Sequence, residues 1–553
     1  DLGTMKPARP LFAETFLQAT APSGRAGFIV PTGIATDDST KAYFERLATG
    51  GHLRSLLCLE NEEFVFPSVH HAFRFALLTL GGEASGDAAS LVFFARQPEQ
   101  IHDPHRRFVL TPDEFALINP NTRTCPVFRS ERDAELTKKL YHAAPVLIEE
   151  AVTDAESTVV QPEVNPWGIS FQRMLDMSND SGLFADVPSV AGQPVGLPLY
   201  EAKMIHQFDH RWATYVDASS GIAGEVETAD VGDAQKADPA CSVRPRYWVD
   251  EREVLARIAR VPSRVAKAWL LTQQLGSYAT IDDEKSLEFA VATWLAGEWM
   301  RRLCADELVG GSARVLAEAQ WRAMAEIDRS ARPLLGALRR ARGGEDINNW
   351  TKWARQDADM PLMEAEETAI QAWQETFHGL SSEGTRIGSL LNLVDEWMDR
   401  RSPRWLMGWR DICRSTDERT VIASVVPRVG VGHTMPLFFI KQSPALGAAL
   451  LGNWCSLVFD YVARTKVGGT HLTYGYLKQF PVLPPDRYTS ADLAFIVPRV
   501  LELTYTTHDL QAWGEDLADY DLRPAAEQGQ PFVWNPERRA RLRAEQIGRA
   551  SCR

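Results

Sequence analysis

The chain begins as short apolar runs separated by polar, glycine-punctuated gaps. LFAETFLQAT at 11–20 has helical spacing. AGFIVP at 26–31 is a brief unbroken apolar run, which fits a strand covered on both faces. Gly24 permits the turn before it. TDDSTKAYFERLATG at 36–50 reads as a helix, with Asp38 or Ser39 as N-cap and Gly50 or Gly51 as the stop. HLRSLLCLEN and FRFALLTLGG are two further strands, and RRFVLTPDEFALIN adds a strand and a helix start. A helix between strands argues a parallel crossover. Two strands in close succession argue an antiparallel edge hairpin.

Asn119 to Thr122 mark a loop. SERDAELTKKLYHA is a helix, with Ser130 as N-cap and Asp133 as a partial capping-box partner. Residues 151–200 are loop-rich and suit a linker or a surface-wrapping segment. From about 250 to 415 apolar residues recur at helical spacing, as in EKSLEFAVATWLAGEWMRRL. Trp269, Trp294, Trp299 and Trp321 read as core residues of that segment. After 415, RTVIASVVPRVGVGHTMPLFFI alternates like strands with glycine turns. LGAALLGNWCSLVFDYVARTKV reads as one amphipathic helix. GGTHLTYGYLKQFPVLPP gives a glycine turn, a short helix or strand, and an extended exit. No internal repeat or low-complexity tract is present.

At 553 residues the chain has room for about two to four domains. It has no apolar run of 18 or more residues, so no membrane-spanning helix is expected. Its seven cysteines form no CxxC pair, which argues against zinc and disulfide frameworks and for a reduced, cytoplasmic setting. The net charge of −14 counts against a simple electrostatic DNA binder. A basic cleft can still sit on an acidic body. Locally basic stretches run from Arg123 to Arg132, Arg339 to Arg342, Arg400 to Arg404 and Arg464 to Lys466.

GRAGFIVP, NEEFVFPSVHHAFRFALL and the later GGTHLTYGYLKQFPVLPP resemble the gamma-class adenine-N6 DNA methyltransferases, and among them the TaqI-like and Type IIG restriction–modification proteins. The motif order fits nearly the whole chain. The resemblance implies the back half of an α/β, Rossmann-like catalytic domain over 1–118 and a connector over 119–196. An α+β target-recognition domain follows over 197–490, with a helical insertion at about 250–415, and then a helical tail over 491–546. Asp1 is not a Met, and IGRASCR at 547–553 reads like translated adapter sequence, so a fragment is expected at both ends. No FxGxG cofactor loop and no Asn-Pro-Pro-aromatic motif occurs. NPNT at Asn119 and NPWG at Asn165 are the nearest strings, and both read as loops.

The family's partners and cofactor follow by the same resemblance: double-stranded DNA, S-adenosylmethionine in the intact protein, and restriction or defence-system subunits. Mg²⁺ enters only with a nuclease domain. An extruded base needs a π-face to replace its lost stacking. Phe66 matches the family's stacking position best, with Phe64 second. The expected DNA contacts are Arg123, Arg129, Lys203, Arg211, Arg428, Arg464, Lys466, Gly468, Gly469, Thr470 and His471, with His206 and His210 nearby. One rival reading takes Asp186 with Glu201-Ala202-Lys203 as a metal-dependent nuclease site. The other takes the chain as a non-catalytic specificity module.

Overall fold

The computed structural model describes residues 8–550 except 37–39, 72, 85–87, 122–123, 154–156, 187–188, 191–192, 195, 218–225, 262–265, 267–269, 271–394, 396–397, 415–416 and 468–469. The chain has a mixed α/β architecture with several sheets. Most of the expected helical insertion, including its four tryptophans, lies outside the described residues.

The first body is a five-stranded sheet. Its elements are α1 (Ala8–Ala19), β1 (Arg25–Pro31), α2 (Lys41–Thr49), β2 (Leu53–Glu60), β3 (Arg74–Gly81), β4 (Ala89–Ala95), β5 (Phe108–Leu110), α3 (Pro112–Ile118) and α4 (Glu131–Ala143). Strand order is β1-β3-β2-β4-β5. β3 runs antiparallel to both β1 and β2, and β2 is parallel to β4. The crossover helix α2 therefore joins two strands of the same direction, as its position between them demands. The β2–β3 pair is antiparallel as expected, but it is not an edge hairpin, because β3 inserts between β1 and β2. β4 was not assigned from sequence. Its seven residues, ASLVFFA, are one more short buried run of the same type.

Local signals place the helices. Gly50 caps α2, and Gly51, at φ 71°, takes the left-handed turn that stops it. Thr111 and Glu114 form a capping box on α3, and the Ser130 hydroxyl accepts the Asp133 amide proton at 3.2 Å to start α4.

The two faces of this sheet differ. Phe28, Leu78, Leu56 and Leu91 are register neighbours in one row, and the last three are buried under the helices. Ile29, Leu77, Leu57 and Val92 form the matching row on the other face. There burial falls from Val92, fully buried, to Ile29, 54% exposed on the edge strand β1.

The second body contains two four-stranded sheets. One holds β6 (Ser170–Gln172), β12 (Trp405–Trp409), β13 (Ala423–Pro427) and β15 (Leu437–Phe439) in the order β13-β12-β15-β6, all antiparallel. The other holds β7 (Phe184–Ala185), β8 (Leu197–Tyr200), β11 (Trp248–Val249) and β14 (Gly430–Val431) in the order β14-β8-β11-β7. A hairpin of β9 (Ala213–Asp217) and β10 (Val226–Asp230) and the helix α5 (Glu251–Ile258) lie between β8 and β12 in the chain. Trp405–Trp409 falls in the stretch read as helical. Its WLMGW pattern is too short to compete with the helical spacing before it.

The expected single helix at 446–467 is two: α6 (Pro444–Trp454) and α7 (Leu457–Lys466), bent by 58°. Ser456 breaks the run by capping α7 through the Phe459 amide. α6 is mostly buried, and Trp454 stacks on Phe459 at 5.7 Å. Then follow α8 (Tyr474–Lys478), α9 (Ser490–Thr504) and α10 (Pro536–Ala550). Among the described residues no single helix is long and apolar enough to cross a membrane. One hydrophobic core runs from Ala13 to Leu542 and spans both bodies. Polar ties reinforce the join: the Tyr141 hydroxyl donates to Gln479 O at 2.6 Å, and Leu147 N donates to Phe480 O at 2.9 Å.

Candidate functional site

The β2–β3 connection, residues 61–73, is held by one side chain. Asn61 is fully buried. Its amide nitrogen donates to Phe66 O at 3.0 Å and Val69 O at 2.8 Å, and its Oδ1 accepts the Phe66 amide proton at 2.9 Å. Its backbone N–H donates to Phe73 O, and its carbonyl accepts from Phe64 N, both at 2.9 Å. A loop pinned this way can present apolar side chains without collapsing onto them.

It presents several. Phe64 is 52% exposed and sits in the left-handed region at φ 50°, ψ 45°. That backbone costs a non-glycine residue about 1–2 kcal/mol. Phe66 is 36% exposed, its ring edge-on to Phe75 at 4.8 Å. His70 and His71 lie beside each other at 4.4 Å, and the His71 Nδ1 is 3.3 Å from Glu62. Glu62 and Glu63 lie on the same loop and disfavour phosphate there. Phe64 and Phe66 thus belong to one exposed aromatic loop. Asn61, the residue that shapes it, was missed. Its signal in the sequence is an Asn closing an apolar strand, which is too common to stand out.

The expected DNA contacts fare unequally. Arg211 is fully buried, and its guanidinium donates to the carbonyls of Asp238, Cys241 and Lys236 at 3.0–3.1 Å. It is a structural bolt and cannot meet phosphate. Neighbouring His210 is also buried, 3.1 Å from Asp509. Lys466 points its ammonium inward, to Ile118 O at 2.7 Å and the Asn119 side chain, 4.6 Å above the Tyr141 ring. Burial pulls its pKa well below the ordinary lysine range. These two assignments are corrected: charge in a sequence does not reveal where the head group is enclosed.

Arg464 is tied to buried Asp460 at 2.7 Å and to Asp417 O at 2.6 Å. Arg428 pairs with Asp399 at 2.6 Å and Glu251 at 3.2 Å. Arg129 is exposed over the Phe94 ring at 4.5 Å, and half-exposed Lys203 lies over Tyr215 at 4.6 Å. Thr470 is exposed, and the His471 Nδ1 is 3.2 Å from Asp411. Arg123, Gly468 and Gly469 lie outside the described residues.

The nuclease string is engaged otherwise. The Glu201 carboxylate accepts the Tyr215 hydroxyl at 2.5 Å and lies 3.7 Å from Lys203. Among the described residues no group of three or more His, Cys, Asp or Glu side chains is arranged to hold a metal. Asn119 and Asn165 both shape turns: the Asn119 amide donates to Thr124 O at 2.8 Å, and the Asn165 amide to Ile169 O at 2.9 Å.

No family model matches the chain, and no curated protein matches it. Among solved structures, the type IIG restriction endonuclease BpuSI aligns at 9% identity over 98% of this chain and 49% of its own, with a TM-score of 0.23. The chain thus spans about half the length of that protein, and a likeness this slight carries no argument about fold or function.

Proposed function

We propose that the chain is part of a site-specific adenine-N6 DNA methyltransferase of a restriction–modification or defence system. The first body is the back half of its catalytic domain, and the second body reads the DNA. The observation that carries this is the aromatic loop. Exposed Phe64 and Phe66, on a loop pinned by Asn61, are suited to receive an extruded adenine. The edge strand β1 adds support. Its outer edge pairs with no described strand, and the front strands of a doubly wound sheet would join there.

In this role S-adenosylmethionine supplies the methyl group, and the front half would bind it. This chain's residues receive the base and hold the duplex. Methylation mapping of the host genome tests the proposal. Deleting the gene should remove N6-methyladenine from one sequence motif. An unchanged methylation map overturns it. A chain that binds duplex DNA but leaves the map unchanged would instead be a specificity module.

A further inference from the structure

A second feature lies on the other body, around a residue that plays no part in the aromatic loop. Asp411 follows β12 and is about 5% exposed at its side chain. Its backbone is fixed on both sides: its N–H donates to Thr434 O at 2.9 Å, and its carbonyl accepts from Leu472 N at 2.7 Å. One carboxylate oxygen, Oδ2, accepts from Arg173 at 3.5 Å and faces the His471 Nδ1 at 3.2 Å. The other, Oδ1, is buried and has no hydrogen-bond partner.

The two side chains it holds are open to solvent, Arg173 at 48% and His471 at 55%. The Arg173 guanidinium is 5.6 Å from the Tyr474 ring, and that ring is stacked on Phe171 at 5.3 Å. So Arg173 rests on an aromatic shelf and leans on a carboxylate, which restricts its conformations before anything binds. His471 Nδ1 donates to the carboxylate, and Nε2 makes no hydrogen bond among the described residues; its N–H, present when the ring carries both protons, is left for a ligand.

We infer that Arg173 and His471, oriented together by buried Asp411, form a clamp for a DNA phosphodiester group on the second body. A guanidinium has five N–H donors, more than its contacts with Asp411 and Tyr474 use, and phosphate geometry suits the rest. Asp411 touches no ligand and is a positioning residue. Asp176 is the competing anion. It is partly exposed, senses Arg173 and His433, and has its carboxylate held by the amides of Ser178 and Asn179. The inference rests on the DNA-binding reading above.

The test is duplex binding by the full chain, followed by fluorescence anisotropy across a salt titration. Arg173→Ala should weaken binding several-fold and flatten the plot of log affinity against log salt by about one contact, or roughly 0.9 in slope, and His471→Ala should weaken binding several-fold. Arg173→Lys should recover part of the slope, and Asp176→Asn should tighten binding. Asp411→Asn should weaken binding with Arg173 and His471 both still present, which a purely structural role, read from the thermal midpoint, would not produce at unchanged stability. Wild-type affinity and slope in both Arg173→Ala and His471→Ala would overturn the clamp alone. A wild-type chain with no salt-dependent binding to any duplex would overturn the DNA reading and the clamp with it.

Discussion

The Asn61 side-chain oxygen accepts the Phe66 amide proton at 2.9 Å, five residues along a loop that otherwise has no regular structure beyond one short turn. Together with the two bonds from its Nδ2, this makes Asn61 the anchor of the aromatic loop. Asn61→Ala leaves several groups unpaired in a partly buried setting. The expected cost is about 2–3 kcal/mol. A urea titration should show a lower midpoint with an unchanged slope.

Phe64 should behave oppositely. Its backbone is left-handed, and its ring is about half exposed. Phe64→Gly removes about 1 kcal/mol of backbone strain and little buried area. Stability should hold or rise while base stacking weakens. A large loss of stability would mean that the ring is a packing group.

Lys466 is a third case, because its amine makes its hydrogen bonds inside the molecule. Lys466→Met keeps the stem but leaves Ile118 O and the Asn119 side chain without their donor. The thermal midpoint should fall. In folded protein, the salt slope of DNA binding should match wild type. A reduced slope would return Lys466 to the DNA surface.

Acid should destabilise the fold through His206. Burial, aided by Arg410, lowers its pKa from 6.5 to about 4. The unfolded chain therefore takes up this proton first. The stability tied to neutral His206 is complete above pH 6.5 and is lost as pH falls toward 4. The full difference is about 3 kcal/mol. His206→Gln should flatten that limb of a stability–pH profile. An unaltered profile would contradict the assignment.

Short apolar runs made β1, β2 and β3 legible, and hydroxyl N-caps such as Ser130 were legible with their partners. Strand order was not, because β3 inserts between β1 and β2 by long-range pairing that no local spacing encodes. The break at Ser456 was masked by apolar residues on both sides. Phe64 and Phe66 were singled out by motif order, and the fold places both on one exposed loop. Arg211 and Lys466 were misplaced, since the groups that enclose them are not local: the carbonyls that hold Arg211 lie 25–30 residues on, and Lys466 and Asn119 are 347 residues apart. Arg173 was overlooked because it lies in a loop-rich stretch read as linker, and only the fold brings it to Asp411.

The most direct test of the aromatic loop is methyl transfer in vitro. The protein expressed from its complete reading frame is given labelled S-adenosylmethionine and duplex DNA carrying the mapped site. The expected result is that Phe66→Ala lowers kcat tenfold or more, a stacking loss within about 1–3 kcal/mol, while duplex affinity changes much less. Transfer at the wild-type rate by Phe66→Ala and by the Phe64→Ala, Phe66→Ala double variant would contradict the assignment of this loop to the flipped base.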